Sequence, residues 1–380
     1  MMTGIDPDEA AKFRRQMVER LVDLDYVPVG WADALEAVPR HLFVPDTVWH
    51  PVPGGYVPYH RDDDPTSWLT LAYRHDDHIV AQVDNGAPSG MGRYATCTVM
   101  DPTDITFLLG LVPITPGMRV CLVGAGLGYL TALLAHKLGA DAVSAVEIDP
   151  GLATDCRRRL ASVGLDGVDV LTADATVELP DGAPFDLILS TVTVRHVPGE
   201  WLRRVRTGGT IITGFATTYR HHSIIQLAVH HPGLATGHVV GEIEYDWERG
   251  QPIRPTLTTT DIAAAAGGAD STTFDVDRFP NTSDAIFTIG IRVPNCVQVY
   301  LSGDDLWFLD PATGSRAHWH RPVGRYRVDQ YGPRRLWDEI TTAYQWWRTN
   351  GQPEPGEWLI TATPHTTTAE LPTTLAAAAG

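Results

Sequence analysis

The chain has 380 residues, 43% of them hydrophobic, and a formal net charge of −17. That is apolar content enough for a sizeable core and length beyond one typical domain, so a large domain with a smaller companion is expected. So large an excess of acid argues against nucleic-acid phosphates or an anionic membrane as the partner, and leaves a peptide or a small molecule.

Cys97, Cys121, Cys156 and Cys296 lie far apart with no C-x-x-C pair, which suggests neither a disulfide framework nor a zinc ribbon. The N-terminus has no secretory-signal pattern and no apolar run reaches bilayer-spanning length, so the expected location is cytoplasmic.

Residues 7 to 24 place Phe13, Met17, Leu21 and Leu24 at helical spacing with arginines on the other faces, an amphipathic helix. A second helix, Trp31 to Val38, runs into Pro39-Arg-His-Leu-Phe-Val-Pro45. From His50 to Ser89 proline, glycine, aspartate and histidine dominate, which reads as a long surface segment with a short strand at His78 to Val83. Its His75-x-x-His78 pair lacks a third ligand at helical spacing and reads as solvated turn residues, so no metal is expected. Tyr94 to Pro102 follows, then an apolar helix from Asp104 to Leu111.

The centre of the chain is Val120-Cys-Leu-Val-Gly-Ala-Gly-Leu-Gly-Tyr129. Four apolar residues predict a buried parallel strand, Gly124, Gly126 and Gly128 a tight turn, and the spacing from Tyr129 to Lys137 a helix. Glycines let the backbone turn sharply and admit a ligand, and the helix aims its unpaired N–H groups at the same place. A second strand, Ala142 to Ile148, carries Glu147 at its tip, placed to accept hydrogen bonds from ribose hydroxyls. Asp149-Pro150 opens the next helix. A third strand, Gly167 to Ala175, ends in Asp174-Ala175, and a fourth, Ala183 to Thr191, leads to Val194-Arg-His-Val-Pro198. Trp201 to Thr213 reads as a helix, a Gly208-Gly209 turn and a strand.

Taken together, the glycine turn is similar to the first motif of class I S-adenosylmethionine-dependent methyltransferases. Ala34-Leu-Glu-Ala-Val-Pro-Arg-His-Leu-Phe-Val-Pro45, upstream of it, resembles the signature of protein-L-isoaspartate (D-aspartate) O-methyltransferases. The resemblance covers about residues 13 to 215. It implies a Rossmann-like α/β fold, S-adenosylmethionine as cofactor, and a cofactor site at Gly124, Ala125, Gly126, Gly128, Tyr129, Glu147, Ile148, Asp174, Ala175 and Thr191.

Two positions depart from the pattern: Leu122 stands where such enzymes usually carry an acid, and Met100 where this family has a substrate-facing serine. A thioether donates no hydrogen bond, so Thr98 and Asp101 become the candidate catalytic residues. Thr96, Met100, Val194, Arg195 and His196 become the candidate substrate contacts. Helix capping is an equally adequate account of Asp101, and His196 reads equally as a surface residue.

Further on, His221, His222, His230 and His231 flank an apolar strand and read as solvated ends, while Ala263 to Gly268 reads as a small-residue helix or hinge. Cys296 to Leu309 reads as a β-hairpin turning at Ser302 to Asp305. Trp337, Ile340, Tyr344 and Trp347 share one helical stripe, a core pattern, with Trp346 off it and placed to touch a partner.

Tyr331 to Trp347 resembles the extension of family homologues found beside ribosomal-peptide pathways. The expected layout is therefore a catalytic domain at 1–220, a mixed α+β recognition domain at 221–365 and a disordered tail at 366–380. The implied function is carboxyl O-methylation of an aspartyl or isoaspartyl side chain, forming aspartimide in a crosslinked peptide. An isoaspartate repair enzyme and a catalytically degenerate cofactor- or peptide-binding module are the alternatives.

Overall fold

A computed structural model describes residues 5–87, 90–219, 222–251, 272–276, 282–302, 305–320 and 326–372. His221, the Ala263 to Gly268 stretch, Gly303 and Asp304 of the hairpin turn, and the last eight residues lie outside them. The chain divides into two compact units: residues 1–191, 198–212 and 229–232, and residues 192–197, 213–228 and 233–380. The division is thus interleaved, and two long strands, Phe185–Val194 and Val205–Phe215, each begin in the first unit and end in the second.

In the first unit, Val120–Val123 is buried at all four positions and pairs in parallel with Val143–Glu147 on one side and Phe185–Val194 on the other; Asp169–Thr172 follows at the edge. A strand covered on both faces needs no polar alternation, which is why these four residues are uniformly apolar. The following helix, Tyr129–Leu138, has seven consecutive buried residues from Tyr129 to Ala135, so its first two turns are enclosed, while His136 in the last turn is exposed.

A separate antiparallel sheet takes the order Gly55–His60, Thr47–Val52, Ile79–Val83, Ala95–Val99. The short strand expected at His78 to Val83 is present as Ile79–Val83, and the surface segment before it also holds a hairpin and a helix. Thr47 to His60 zips as a hairpin, and Asp64 caps a helix, Pro65–Ala72, whose Trp68 and Leu69 are buried. Long-range pairing overrode a turn-rich composition here. The Gly208-Gly209 turn is likewise absent: both glycines lie within Val205–Phe215, where a Cβ on Gly209 would come 2.6 Å from the Val205 side chain.

His41, from the Pro39 to Pro45 stretch, sits 2.7 Å from the Tyr73 hydroxyl. Burial, helped by the positive charges of Arg14 and Arg61, pushes its pKa down to about 4 from an ordinary value near 6.5. The unfolded chain then binds the proton more readily than the folded one, so stability is lost as pH falls from about 6.5 towards 4. His41→Gln, which keeps a polar partner for Tyr73, is expected to lose less of its urea midpoint between pH 7 and pH 4.5 than the parent does. Equal losses would remove His41 as a source of acid sensitivity.

Ser223–His231, which ends in residues of the first unit, and Leu234–Glu242, Leu359–Ala362 and Thr367–Glu370 of the second unit are neighbours in reverse order along one sheet. Thr367–Glu370 falls in the stretch expected to be a disordered tail. It pairs antiparallel with Leu359–Ala362, because β-branched threonines suit a strand once a partner edge exists.

A second, five-stranded sheet has the order Thr272–Val276, Tyr326–Tyr331, Ser315–His320, Asp305–Asp310, Val297–Ser302. Phe308, Ala317, Trp319 and Val328 from this sheet share a core with Ile289, Leu336, Trp337, Ile340 and Ala343 of the helices Ser283–Arg292 and Leu336–Thr349. The aromatic stripe is core as its spacing predicts, with Tyr344 partly buried. Trp346 is engaged internally, under Arg292 at 4.0 Å and beside Trp358.

The start of Leu336–Thr349 is capped from the sheet. Fully buried Gln330 accepts from Trp337 N–H at 2.8 Å and donates to Asp338 at 2.9 Å. Arg334 bridges the buried carboxylate of Asp310, at 3.0 Å, to Glu339. Removing it strands a buried charge, so Arg334→Ala is expected to lower stability by about 3 kcal/mol in chemical denaturation. A loss below about 1 kcal/mol would show that Thr313 and Ala312 N–H satisfy Asp310 unaided.

Candidate cofactor and substrate sites

The glycine turn is fixed by its own backbone. Gly124 N–H and Ala125 N–H both donate to Val146 O, at 2.9 and 3.0 Å, and Gly128 N–H donates to Ala125 O at 2.9 Å. Gly124, Gly126 and Gly128 have φ of 80°, 54° and 93°, the left-handed region where a side chain is strained. Gly124 and Gly126 are partly exposed while Ala125, Leu127 and Gly128 are buried, so the turn offers bare backbone to solvent at the first two.

Glu147, 6% exposed, closes the turn from the neighbouring strand. One oxygen accepts from Gly126 N–H at 2.8 Å and the other from Asp149 N–H at 3.0 Å. Each carboxylate oxygen has two lone pairs, so Glu147 can hold the turn and still accept from a ribose diol. Thr191 Oγ1 donates to Gly124 O at 2.8 Å and ties the tip of the fourth strand to the same turn. Asp149 caps Pro150–Ser162 through Gly151 and Leu152 N–H, and partly exposed Ile148 lies between it and Glu147.

The Asp174 carboxylate accepts from the N–H and hydroxyl of Thr176, and Ala175 O is held by the buried Trp201 indole at 2.8 Å. Tyr129 differs from expectation: its ring is buried against Phe43 and under the Arg40 guanidinium, so only its main chain at the helix start can meet a cofactor.

This arrangement fits S-adenosylmethionine. Bare glycine backbone, a helix N-terminus and a carboxylate at the second strand's tip supply donors and acceptors for its amino-acid and ribose portions. Ile148, partly exposed beside them, is the adjoining apolar side chain.

Cys97 of the strand Ala95–Val99 faces the turn: a Cβ built on Gly126 would lie 3.5 Å from its Sγ. Thr98, the next residue, alternates to the other side and is exposed. Thr96 donates to Gln82 Oε1 at 2.8 Å, and Gln82 Nε2 reaches Asp149 at 3.3 Å. Sequence reading missed Gln82; the signal was a single amide in the apolar strand Ile79 to Val83. Asp101 is a helix cap, 6% exposed, accepting from Asp104 N–H at 2.8 Å, with its other oxygen 3.2 Å from His78 Nδ1. Burial, then repulsion from Asp101, pushes the Asp104 pKa up to about 6.

The remaining substrate candidates belong to the second unit. Val194 is fully buried, which removes its side chain from direct contact with a substrate. Arg195 and His196 N–H both donate to Gln251 Oε1, at 2.8 and 3.0 Å, and Gln251 Nε2 donates back to His196 O at 3.0 Å. Val197 N–H donates to Thr367 Oγ1 at 2.9 Å. Gln251 and Thr367, distant in sequence, therefore shape this loop. Partial burial and the neighbouring Arg195 lower the His196 pKa.

The protein-L-isoaspartate(D-aspartate) O-methyltransferase family model matches residues 76–245. A protein-L-isoaspartate O-methyltransferase of Methanopyrus kandleri is 33% identical over 202 residues, 52% of this chain and 75% of that protein. The one from Ignicoccus hospitalis is 27% identical over 201 residues, 52% of this chain and 80% of its own length. A solved structure described as protein-L-isoaspartate O-methyltransferase shares the fold at a TM-score of 0.55 and 16% identity, over 94% of this chain and 99% of that one. The fold match thus extends beyond the sequence resemblance at 13 to 215. With the turn, its carboxylate and these relatives in agreement, the chain belongs to the protein-L-isoaspartate (D-aspartate) O-methyltransferase family and is an S-adenosylmethionine-dependent protein carboxyl O-methyltransferase.

Proposed function

We propose that the chain methylates the free α-carboxylate of an isoaspartyl residue in a peptide and so commits that residue to succinimide formation. The observation that carries this reading is the glycine turn clamped by Glu147 in a chain whose relatives bear the isoaspartate name. When bound there, S-adenosylmethionine would supply the methyl group for a carboxylate oxygen, the carbon–sulfur electron pair remaining on sulfur. The carboxylate is ionised at neutral pH, so the protein need move no proton in this step. Its work is positioning and exclusion of water, for which the turn, Glu147 and Ile148 provide a fixed frame. The following backbone nitrogen then attacks the ester carbonyl and loses its proton as methanol departs.

A second target is supported by Met100. No hydroxyl stands at that position, and Thr96, on the strand before it, is engaged with Gln82. This favours an aspartyl residue in a conformationally constrained, crosslinked ribosomal peptide, with the ester closing to aspartimide. The test is mass spectrometry after incubation with S-adenosylmethionine and three peptides: isoaspartyl, linear aspartyl and crosslinked aspartyl. Methylation followed by loss of methanol on the isoaspartyl peptide supports the first reading. The same sequence confined to the crosslinked peptide replaces it with the second. Cofactor binding with no turnover on any of them would reject both in favour of a binding module.

A further inference from the structure

The strand Ser315–His320 lies between Asp305–Asp310 and Tyr326–Tyr331, antiparallel to both. Side chains alternate along it: Ala317 and Trp319 enter the helix-covered core, which places His318 and His320 together on the opposite face. The register sets His318 opposite Trp307 on one neighbouring strand and Asp329 on the other. The His318 ring stacks on Trp307 at 4.0 Å and 10°, and on His320 at 4.2 Å and 7°. Both imidazoles turn Nε2 towards carboxylates, His318 to Asp305 at 2.8 Å and His320 to Asp329 at 2.9 Å. One ligating atom from each of His318, His320 and Asp329 lies within 4.8 Å of the other two.

We propose that His318, His320 and Asp329 form a zinc site that fastens two strands of this sheet. Two imidazoles and a carboxylate are a zinc-type donor set, whereas calcium and magnesium prefer more oxygens. Bonds of about 2.0 Å in a tetrahedron set ligand atoms roughly 3.3 Å apart, so small side-chain rotations bring the three into range. Little backbone ordering is needed, because two ligands share one strand at positions i and i+2 and the third is the direct cross-strand partner of His318. Asp305, already against His318, stands ready as a fourth or outer ligand, and Trp307 walls one side.

The His78, Asp101 and Asp104 cluster is the weaker candidate. It offers one imidazole, and Asp101 already serves as a helix cap. Sequence reading passed over the stronger cluster because nothing local announces that Asp329 lies opposite His318.

The test uses full-length protein treated with a chelator and desalted. Zinc added in calorimetry is expected to bind with one-to-one stoichiometry and to raise the melting temperature, and cobalt to give the intense visible absorption of a tetrahedral site. His318→Gln and His320→Gln, chosen to preserve strand and volume, are expected to weaken zinc binding by more than the roughly 10–100-fold typical of losing an outer-shell partner. They should also abolish the thermal shift. A His230→Ala/His231→Ala variant is expected to bind as the parent does. Absence of one-to-one binding in the parent would overturn the proposal, as would unchanged affinity in both glutamine variants with parent-like circular dichroism. Magnesium raising the melting temperature as much as zinc does would overturn it as well.

Discussion

Glu147→Ala is expected to weaken binding of S-adenosylmethionine on the order of a hundredfold, about 3 kcal/mol, and to lower global stability by a comparable amount. The carboxylate accepts the N–H of Gly126 on one oxygen and of Asp149 on the other. These charge-assisted bonds are worth roughly 1.5–3 kcal/mol each. Alanine removes both, so it loosens the turn and, on the proposed reading, takes away the ribose acceptor together. Glu147→Gln keeps one acceptor oxygen but sets an NH2 group against an N–H donor, and an intermediate loss is expected. Calorimetric titration with S-adenosylhomocysteine reads both. An unchanged Kd in the alanine variant would mean that the ribose is held elsewhere and that Glu147 serves the turn alone.

Gly128→Ala should lower folding stability by about 3 kcal/mol. Left-handed backbone costs a side chain about 1–2 kcal/mol, and overpacking adds about 1–3 kcal/mol. Gly128 has φ of 93°, and a Cβ there would lie 2.8 Å from Cys156 Sγ. The two contributions are separable. Cys156→Ala removes the sulfur, so in the double variant Gly128→Ala should cost only its backbone share, leaving a favourable coupling of about 1–2 kcal/mol in a double-mutant cycle. Zero coupling would assign the whole effect to φ. The cycle also distinguishes the glycines: Gly126 has 3.5 Å of clearance to Cys97 Sγ, so alanine there is expected to act through backbone strain and cofactor approach.

Among the described residues no helix is long and apolar enough to cross a membrane, in keeping with the apolar runs of the sequence. The strand Val120–Val123, the start of its helix at Tyr129 and the cap at Asp149 stand where the sequence places them, because each is written in adjacent residues. Four apolar side chains require burial, positive φ requires glycine, and an aspartate before proline opens a helix. The carboxylate of Glu147 was equally legible, since its distance along the chain from the turn follows from one helix and one strand.

What stayed hidden depends on partners far away in sequence. The hairpin of Thr47–Val52 with Gly55–His60 and the helix Pro65–Ala72 formed in turn-rich sequence because these strands found each other and then Ile79–Val83, the one strand that the sequence announced there. Thr367–Glu370 became a strand because Leu359–Ala362 offered an edge.

The candidate site divides along the same line. Composition and motif alone determined a cofactor-binding α/β enzyme and the residues of its glycine turn. Only the tertiary structure decided that Tyr129 and Val194 turn inward, that Asp101 caps a helix, and that Cys97 faces Gly126 while Thr98 does not. It also decided that Gln82 holds Thr96 and that Gln251 holds the main chain at Arg195 and His196. Local sequence specifies backbone conformation and which residues must leave water; the direction in which a polar side chain finds its hydrogen bond is set by the register of strands that meet only when the chain folds.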